Sequence, residues 1–133
     1  MVIEDDQDLR DSLQRLLQEK YTISMAANGE EGLKLVQEIK PDLILSDVMM
    51  PIMDGFELCK QLKRKKETSC IPIILLTAKI NDKDYLEGLN CGADAYITKP
   101  FNFNVLQANI DMVISNRKRV IDSFKSNPLT QNI

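Results

Sequence analysis

The sequence predicts an α/β fold in which five parallel strands alternate with five helices, and the helices cover both faces of the sheet. Strand-like and helix-like segments alternate along the chain, which is typical of a doubly wound parallel sheet. Two strand-like runs, residues 43–45 and 73–76, are apolar throughout, as expected for central strands covered on both sides. The 133 residues have the length of one ordinary domain.

The first half of the chain contains three strand-like and two helix-like segments. Leucines at helical spacing, including Leu13, Leu16 and Leu17, indicate that the first helix has one apolar face. A turn at residues 28–29 precedes the second helix, and Pro41 ends it. The predicted elements are a strand at 1–3, a helix at 8–19, a strand at 21–25, a helix at 30–39 and a strand at 43–46.

The second half continues the alternation. Pro72 precedes the fourth strand, and Gly92 follows the fourth helix. The polar segment 120–133, with a break at residues 127–128, indicates a linker or a frayed terminus. The predicted elements are a helix at 55–64, a strand at 73–76, a helix at 82–89, a strand at 95–98 and a helix at 103–118.

The composition argues against several classes of function. A net charge of −3 disfavours sequence-independent nucleic-acid binding, because neutralising phosphates requires a basic surface. No apolar stretch approaches the roughly 20 residues that cross a bilayer, and no signal peptide is evident, so we expect a cytoplasmic domain without membrane contact. The chain has no histidine, which removes the usual general base and all histidine-dependent nucleophiles. Its three scattered cysteines indicate ordinary thiols instead of a zinc site.

Reactive side chains follow four of the predicted strands. They are Glu4, Asp5 and Asp6 after the first strand, Asp47 after the third, Thr77 after the fourth and Lys99 after the fifth. Parallel strands bring their carboxyl ends to one edge of the sheet, where open α/β sheets bind ligands. Each of these residues alone would be an ordinary cap, turn or surface residue, but their joint placement predicts a functional site.

Carboxylates gathered at one edge of a sheet require a cation. At about 4 Å and an effective dielectric constant of about 20, each like-charge pair costs on the order of 4 kcal/mol. Mg²⁺ suits such a cluster, because it prefers few carboxylates and commonly shares its coordination shell with a phosphate. An aspartate there can act as a nucleophile and form an aspartyl phosphate, while Lys99 and Thr77 can bind phosphoryl oxygens. The cluster therefore predicts phosphoryl chemistry.

Four motifs surround these reactive residues. They are Ile3-Glu4-Asp5-Asp6 with Leu9-Arg10, Asp42-Leu43-Ile44-Leu45-Ser46-Asp47-Val48-Met49-Met50-Pro51 with Met53-Asp54-Gly55, Pro72-Ile73-Ile74-Leu75-Leu76-Thr77-Ala78, and Gly92-Ala93-Asp94-Ala95-Tyr96 with Lys99-Pro100-Phe101. In order and spacing they resemble the receiver domain of two-component response regulators, in particular that of a hybrid two-component protein. The resemblance implies a flavodoxin-like fold with strand order 2-1-3-4-5.

The resemblance implies that Asp47 accepts a phosphoryl group from a histidine kinase. Asp5, Asp47 and the backbone carbonyl of Met49 would ligate Mg²⁺, for which Mn²⁺ can substitute. Glu4 stands where the family often has aspartate, and it would act through water, although its length leaves direct contact with the metal open. Asp6 is expected outside the coordination shell. The domain would catalyse only its own phosphorylation and dephosphorylation, so we do not expect an enzyme.

The resemblance also implies a conformational switch. Thr77 and Lys99 would contact the phosphoryl oxygens, which requires the loops after the fourth and fifth strands to close. Tyr96 would swing inward when Thr77 moves. The peptide bond between Lys99 and Pro100 is expected to be cis, as is usual at this family motif. The face formed by the fourth helix, fifth strand and fifth helix would change, and it is the expected surface of a homodimer.

The resemblance covers residues 1–118 and leaves 119–133 as a linker or tail toward a downstream output domain. Residues 116–119, with Phe124, are similar to the linker of hybrid regulators in which an AraC-type DNA-binding domain follows. We therefore expect a switch that controls transcription through another domain and makes no nucleic-acid contact itself. Its histidine kinase would act in trans or belong to the same chain, and such a parent protein can be anchored in a membrane.

Two other functions fit parts of the pattern. A haloacid-dehalogenase-type phosphatase also uses an aspartate at a strand end with Mg²⁺, but it carries a second aspartate two residues later, where this chain has Met49. A phosphorylation-independent pseudo-receiver would serve only as an interaction module. The joint presence of the acidic residues, Thr77 and Lys99 disfavours that alternative.

Overall fold

Five strands pair in parallel to form one sheet in the computed structural model, which describes residues 1–78 and 82–126. The strands are β1 (Val2–Ile3), β2 (Met25–Ala26), β3 (Ile44–Asp47), β4 (Ile73–Thr77) and β5 (Ala95–Thr98). The helices are α1 (Gln7–Leu17), α2 (Gly29–Ile39), α3 (Gly55–Arg64), α4 (Asp82–Cys91) and α5 (Phe103–Ser126). The strand order β2-β1-β3-β4-β5 confirms the predicted α/β fold and its topology.

Successive residues of each strand face opposite sides of the sheet, and helices cover both sides. Val2, Leu45 and Ile74 lie in one buried cluster, which they share with residues of α1 and α5. Their strand neighbours Ile3 and Ile44 lie in a second cluster with residues of α2 and α3. The central strands β3 and β4 are buried along their whole length, as their continuous apolar sequences predict.

Side-chain caps fix the start of the first three helices. Asn28 at α2 and Asp54 at α3 each accept a hydrogen bond of 2.8 Å from the backbone N–H three residues later. At α1 the cap is Asp6, which accepts from the backbone N–H groups of Asp8 at 2.9 Å and Leu9 at 3.2 Å. The third acid of the run after β1 therefore has a structural role at the helix start.

Strand β2 is shorter than the sequence predicts. It begins at Met25, whereas the pattern suggested a strand from residue 21. Val2 is the first residue of β1 and lies opposite Met25, so the segment before Met25 has little neighbouring strand with which to pair. Tyr21 instead donates its backbone N–H to the carbonyl of Leu17, which extends the turn at the end of α1.

Helix α5 is longer than predicted. It continues to Ser126, although a linker was expected from residue 119. The segment from Phe103 to Ser126 contains neither proline nor glycine, so no residue in it interrupts the helical backbone. The rest of the predicted tail, 127–133, lies outside the described residues. Among the helices of the described part, including α5, none is both long and apolar enough to span a membrane.

One leucine of α1 departs from the predicted apolar face. Leu13 and Leu17 are buried, but Leu16 is 47% exposed. At 3.6 residues per turn, Leu16 lies at the edge of the face that Leu13 and Leu17 define, so it faces largely toward solvent.

Candidate functional site

Strand register brings the acidic residues of two neighbouring strands together. In the pairing of β1 with β3, Ile3 lies opposite Ser46. The residues that follow, Glu4 and Asp47, are therefore neighbours at the carboxyl edge of the sheet. Both are buried, with 0% and 5% of their surface exposed, whereas Asp5 is exposed. The edge thus combines two buried carboxyl groups with one that solvent can reach.

The three carboxyl groups form a cluster with the dimensions of a cation site. One carboxylate oxygen from each of Glu4, Asp5 and Asp47 lies within 4.8 Å of the other two. Hard divalent cations such as Mg²⁺ prefer oxygen ligands of this kind. The donor set therefore fits a hard divalent cation, and the structure brings together the three acids from which the sequence predicted such a site.

Lys99, which follows β5, reaches this cluster. Its Nζ donates a hydrogen bond of 2.8 Å to Glu4 Oε1 and lies 3.3 Å from Asp47 Oδ1. Only 22% of the lysine side chain is exposed, so the pairs are largely shielded from solvent. One ammonium group against three carboxylates leaves the pocket net negative when all are charged.

The pKa values in the pocket reflect both burial and the neighbouring charges. The pKa of Glu4 is raised to about 7, mainly by burial and then by the neighbouring Asp47, against the opposing effect of Lys99. Burial by itself lowers the pKa of Lys99, but the hydrogen bond to Glu4 and the charge of Asp47 outweigh it and raise the pKa. A divalent cation in the pocket would lower the pKa of Glu4 by favouring its charged form.

Two side chains that sequence reasoning gave no role hold the backbone of the acidic residues. Arg10 Nη1 donates a hydrogen bond of 2.7 Å to the carbonyl oxygen of Glu4. Ser46 Oγ donates one of 2.9 Å to the carbonyl oxygen of Asp47. The only sequence signal for Arg10 was its place in the first motif, on the first turns of α1.

Gly55, the first residue of α3, packs against the backbone of Asp47. A Cβ at this position would overlap the carbonyl oxygen of Asp47 and would lie 2.9 Å from the Cα of Val48. The N–H of Gly55 also donates a hydrogen bond of 2.9 Å to the carbonyl of Val48. The absence of a side chain therefore lets α3 start directly against the strand end that carries Asp47. The sequence predicted that a helix starts at Gly55, but it did not reveal this contact.

Thr77 and Lys99 lie at the ends of adjacent strands. Thr77 ends β4, is 4% exposed and pairs with Thr98 of β5. Its carbonyl oxygen accepts a hydrogen bond of 2.7 Å from the backbone N–H of Lys99. The peptide bond between Lys99 and Pro100 is cis. The two residues expected to bind phosphoryl oxygens are thus joined through the backbone at the same edge as Asp47.

Tyr96 of β5 lies between α3 and α4. Its ring centroid is 6.4 Å from that of Phe56, and its buried hydroxyl has no hydrogen-bond partner among the described residues. Burial raises the pKa of this hydroxyl. A Cβ at Gly88 of α4 would overlap the hydroxyl and would lie 2.6 Å from ring atom Cε2. The tyrosine therefore occupies a notch that exists because residue 88 has no side chain, a relation that the sequence did not reveal.

We expect Gly88→Ala to expel Tyr96 from this notch, even though alanine favours a helix over glycine by about 1 kcal/mol. The added methyl group and the phenol cannot share the space. Fluorine NMR of fluorotyrosine-labelled protein, with the Tyr96 signal assigned from Tyr96→Phe, should show that signal moving toward the position of a solvent-exposed tyrosine. Gly32→Ala, where the added Cβ would meet the side chain of Ile3, serves as the control. An unmoved Tyr96 signal in Gly88→Ala would refute the prediction.

A parallel sheet of order 2-1-3-4-5 with helices on both faces defines the flavodoxin-like class of α/β folds, and in this chain an acidic cluster with a lysine lies at the carboxyl edge of that sheet. A comparison with protein families gives the same result. The sequence model described as "Response regulator receiver domain" matches residues 1–111. The chain belongs to the response regulator receiver domain family, which confirms the resemblance carried by its motifs.

The chain is similar to parts of larger regulators. It is 45% identical over 120 residues to the transcriptional regulatory protein AfsQ1 of Streptomyces coelicolor, a match that covers 90% of this chain and 52% of AfsQ1. It is 42% identical over 126 residues to histidine kinase P4 of Formosa agariphila, covering 95% of this chain and 9% of that kinase. The chain therefore spans only part of these relatives.

A solved structure shows the same architecture. The receiver domain of a signal transduction histidine kinase from Syntrophus aciditrophicus superposes with a TM-score of 0.83 at 39% sequence identity. The match covers 89% of this chain and 90% of that domain. This chain therefore resembles receiver domains in both sequence and three-dimensional structure.

Proposed function

We propose that this chain is a phosphorylation-controlled switch in which Asp47 accepts a phosphoryl group from a histidine kinase. The observation that carries the proposal is the cluster of Glu4, Asp5 and Asp47 with Lys99 bonded into it. Phosphoryl transfer depends mainly on positioning and on neutralising charge, and this cluster offers groups for both. Membership of the receiver family supports the same function.

In the transfer step, a carboxylate oxygen of Asp47 attacks the phosphorus of a phosphohistidine. The phosphorus–nitrogen bond breaks, its electron pair stays on the imidazole nitrogen, which is protonated, and an aspartyl phosphate forms. Lys99 pairs with one phosphoryl oxygen, and the hydroxyl of Thr77 donates a hydrogen bond to another. Later attack by water on the phosphorus breaks the bond to the Asp47 oxygen, releases inorganic phosphate and restores the aspartate. The domain thus catalyses only its own phosphorylation and dephosphorylation.

The residues present fit Mg²⁺, which supplies neutralisation of the phosphoryl charge when bound. Asp5, Asp47 and the backbone carbonyl of Met49 are the proposed ligands, and Mn²⁺ is a suitable substitute. Glu4 is proposed to act through water. Its Oε1 already accepts the hydrogen bond from Lys99, which supports an outer position for this carboxyl group.

The function is tested by treating the chain with acetyl phosphate and Mg²⁺. We expect intact-mass spectrometry to show one added phosphoryl group. Chelation of the metal by EDTA should prevent this addition. A chain that stays unmodified with the metal, or that is modified equally without it, would contradict the proposal.

We expect Asp5→Ala to weaken Mg²⁺ binding by at least about tenfold, because changes even to the residues that orient metal ligands commonly lower metal affinity by about tenfold to a hundredfold. Asp5 is exposed, so its loss should leave the core and the fold intact. Calorimetric titration of the metal measures the effect. Asp11→Ala is the matched control, because it removes an exposed carboxylate from α1 outside the cluster. Equal Mg²⁺ affinity in Asp5→Ala and the wild type would remove Asp5 from the ligand set.

The proposed conformational switch begins with a movement of Thr77 and is transmitted to Tyr96. A phosphoryl group adds charge and acceptor oxygens, and Thr77 moves to bind one of them. Tyr96 is then held inward in the notch at Gly88, which it already occupies in this structure, and the face formed by α4, β5 and α5 changes and can form a homodimer. Converting a population from 1:99 to 99:1 requires about 5.5 kcal/mol of differential stabilisation. The charged contacts of Lys99 with the phosphoryl group contribute to that difference.

The output is proposed to lie outside this domain. AfsQ1 is a transcriptional regulatory protein of which the chain matches 52%, which supports a transcriptional output domain in the parent protein. An AraC-type DNA-binding domain is the proposed candidate, while the receiver itself makes no nucleic-acid contact. The match to part of histidine kinase P4 supports a hybrid chain as well as a kinase acting in trans. The proposed compartment of the domain is the cytoplasm.

A further inference from the structure

Two of the three cysteines meet where α3 contacts α4. Cys59 lies on α3 and Cys91 is the last residue of α4, and both are buried, with 0% and 2% of their surface exposed. Cys59 Sγ donates a hydrogen bond of 3.1 Å to the carbonyl oxygen of Cys91. The two residues are 32 positions apart in the sequence, so the fold is what brings their thiols together. The third cysteine, Cys70, is exposed.

The arrangement of the two thiols favours a bond between their sulfur atoms. The sulfur of Cys59 already touches the backbone of Cys91. Cys91 Sγ in turn donates a hydrogen bond of 3.1 Å to the carbonyl oxygen of Gly88, one turn earlier in α4. A disulfide requires β-carbons about 3.5–4.5 Å apart, and a thiol that contacts the main chain of its partner brings that separation within reach. Rotation of two short side chains then aligns the sulfur atoms.

The two thiols differ in how readily they ionise. Hydrogen bonding by the Cys59 thiol lowers the pKa of Cys91 against the opposing effect of burial, and the backbone of Ala93 lowers it further. The pKa of Cys59 is raised, first by its hydrogen bond with Cys91 and then by burial. The thiolate is the reactive form of cysteine. Cys91 is therefore the nucleophile of the pair, and Cys59 is the thiol that reacts second.

The position of Cys91 at a helix end gives a small oxidant a route to its sulfur. The next residue, Gly92, is exposed and ends the helix with a φ of 87°. The terminal turn of a helix opens at a much lower free energy than the core of a domain does. Hydrogen peroxide is little larger than water, so it can enter through an opening of this kind.

We propose that Cys59 and Cys91 form a reversible oxidation site, at which a hydroperoxide converts the two thiols into a disulfide between α3 and α4. The sulfur of Cys91 attacks one peroxide oxygen, the oxygen–oxygen bond breaks, and the other oxygen leaves and is protonated. The sulfur of Cys59 then attacks the resulting sulfenic acid. The sulfur–oxygen bond breaks, the hydroxide takes up the proton of Cys59 and leaves as water, and the disulfide forms. The peroxide is reduced and the two thiols are oxidised.

The disulfide would lie beside the notch that holds Tyr96. The present partner of Cys91 Sγ is the carbonyl oxygen of Gly88, the residue whose missing side chain makes room for the tyrosine hydroxyl. Bond formation turns the sulfur of Cys91 away from Gly88 and fixes α4 to α3, so the surroundings of Tyr96 change. Cys91 precedes the start of β5, whereas Asp47 ends β3 at the opposite edge of the sheet, so this oxidation needs no phosphoryl group.

The experiment uses the full chain with Cys70→Ser, which removes the exposed thiol and keeps the buried pair. The folded protein is treated with hydrogen peroxide, then unfolded, alkylated with N-ethylmaleimide and digested for mass spectrometry. We expect Cys59 and Cys91 to escape alkylation and to appear in one disulfide-linked peptide. Both should be alkylated again after reduction with dithiothreitol. Thiols that stay open to alkylation after peroxide, or a Cys91 that becomes sulfinic acid without a disulfide, would overturn the proposal.

Thermal unfolding and fluorine NMR measure the effect of the bond on the folded domain. A disulfide restricts the unfolded chain, so the peroxide-treated sample should melt about 5 °C or more above the same sample after dithiothreitol. The assigned fluorotyrosine signal of Tyr96 should also move on oxidation and return on reduction. Cys59→Ala in the same background is the matched control and should show neither change. A melting midpoint that stays or falls on oxidation would overturn the proposal, and an unmoved Tyr96 signal would overturn the inferred effect on the tyrosine.

Discussion

Asp47→Asn is expected to abolish phosphorylation by acetyl phosphate and by a histidine kinase. The amide lacks the charged oxygen that attacks phosphorus, and the neighbouring Glu4 is already bonded to Lys99. Removal of a nucleophile typically lowers a rate on the order of 10⁴-fold or more. Intact-mass spectrometry after treatment with either donor should therefore show no added phosphoryl group.

The fold of Asp47→Asn should persist, because the substitution changes little volume and removes one negative charge from a crowded pocket. Lys99 keeps its 2.8 Å hydrogen bond to Glu4. Thermal unfolding recorded beside the mass assay should show a cooperative transition at or above the wild-type midpoint. Asp42→Asn, an exposed aspartate before β3 at the other edge of the sheet, should be phosphorylated normally. Undiminished acyl phosphate on Asp47→Asn would exclude Asp47 as the acceptor.

Gly55→Ala is expected to destabilise the domain by about 3 kcal/mol, the upper range for overpacking a buried site. The added Cβ would overlap the carbonyl oxygen of Asp47 and approach the Cα of Val48 at 2.9 Å. Both obstacles are backbone atoms of a buried strand end, so they cannot move aside as a flexible side chain can. Denaturant unfolding measures the loss, and phosphorylation should also slow because the position of Asp47 is disturbed.

Gly32→Ala separates this effect from a general cost of replacing glycine. Gly32 is also buried, but the closest atom to its added Cβ would be the terminal Cδ1 of Ile3, at 2.5 Å. A side-chain end can rotate, and alanine favours the interior of α2 over glycine by about 1 kcal/mol. Gly32→Ala should therefore lose clearly less stability than Gly55→Ala. Equal losses of stability in the two variants would show that the contact of residue 55 with the backbone of Asp47 does not determine the cost of Gly55→Ala.

The fold could be predicted because its central strands carry an unambiguous pattern. Residues 43–45 and 73–76 are apolar without interruption. The segments between strands place their apolar residues at helical spacing. The two clear errors were the start of β2 and the end of α5. The strand β2 begins at Met25, opposite the first residue of its neighbour β1, and this start depends on pairing between segments and not on local sequence. The end of α5 was placed at a change in polarity, but polarity alone does not stop a helix that lacks glycine and proline.

The reactive residues of the site could be predicted from the sequence, but many of the residues that hold them in position could not. Glu4, Asp47 and Lys99 each end or follow a strand, so topology alone places them at one edge. Gly55 and Gly88 act through the space they leave for other segments, which no local pattern records.

A crystal structure of the chain with Mg²⁺ and beryllofluoride, a mimic of the phosphoryl group, tests the central claim most directly. We predict that beryllium bonds to a carboxylate oxygen of Asp47, with Lys99 and Thr77 contacting the fluorides. The metal should be ligated by Asp5, Asp47 and the backbone carbonyl of Met49. Beryllofluoride bound elsewhere, or a metal ion that contacts none of these residues, would contradict the account.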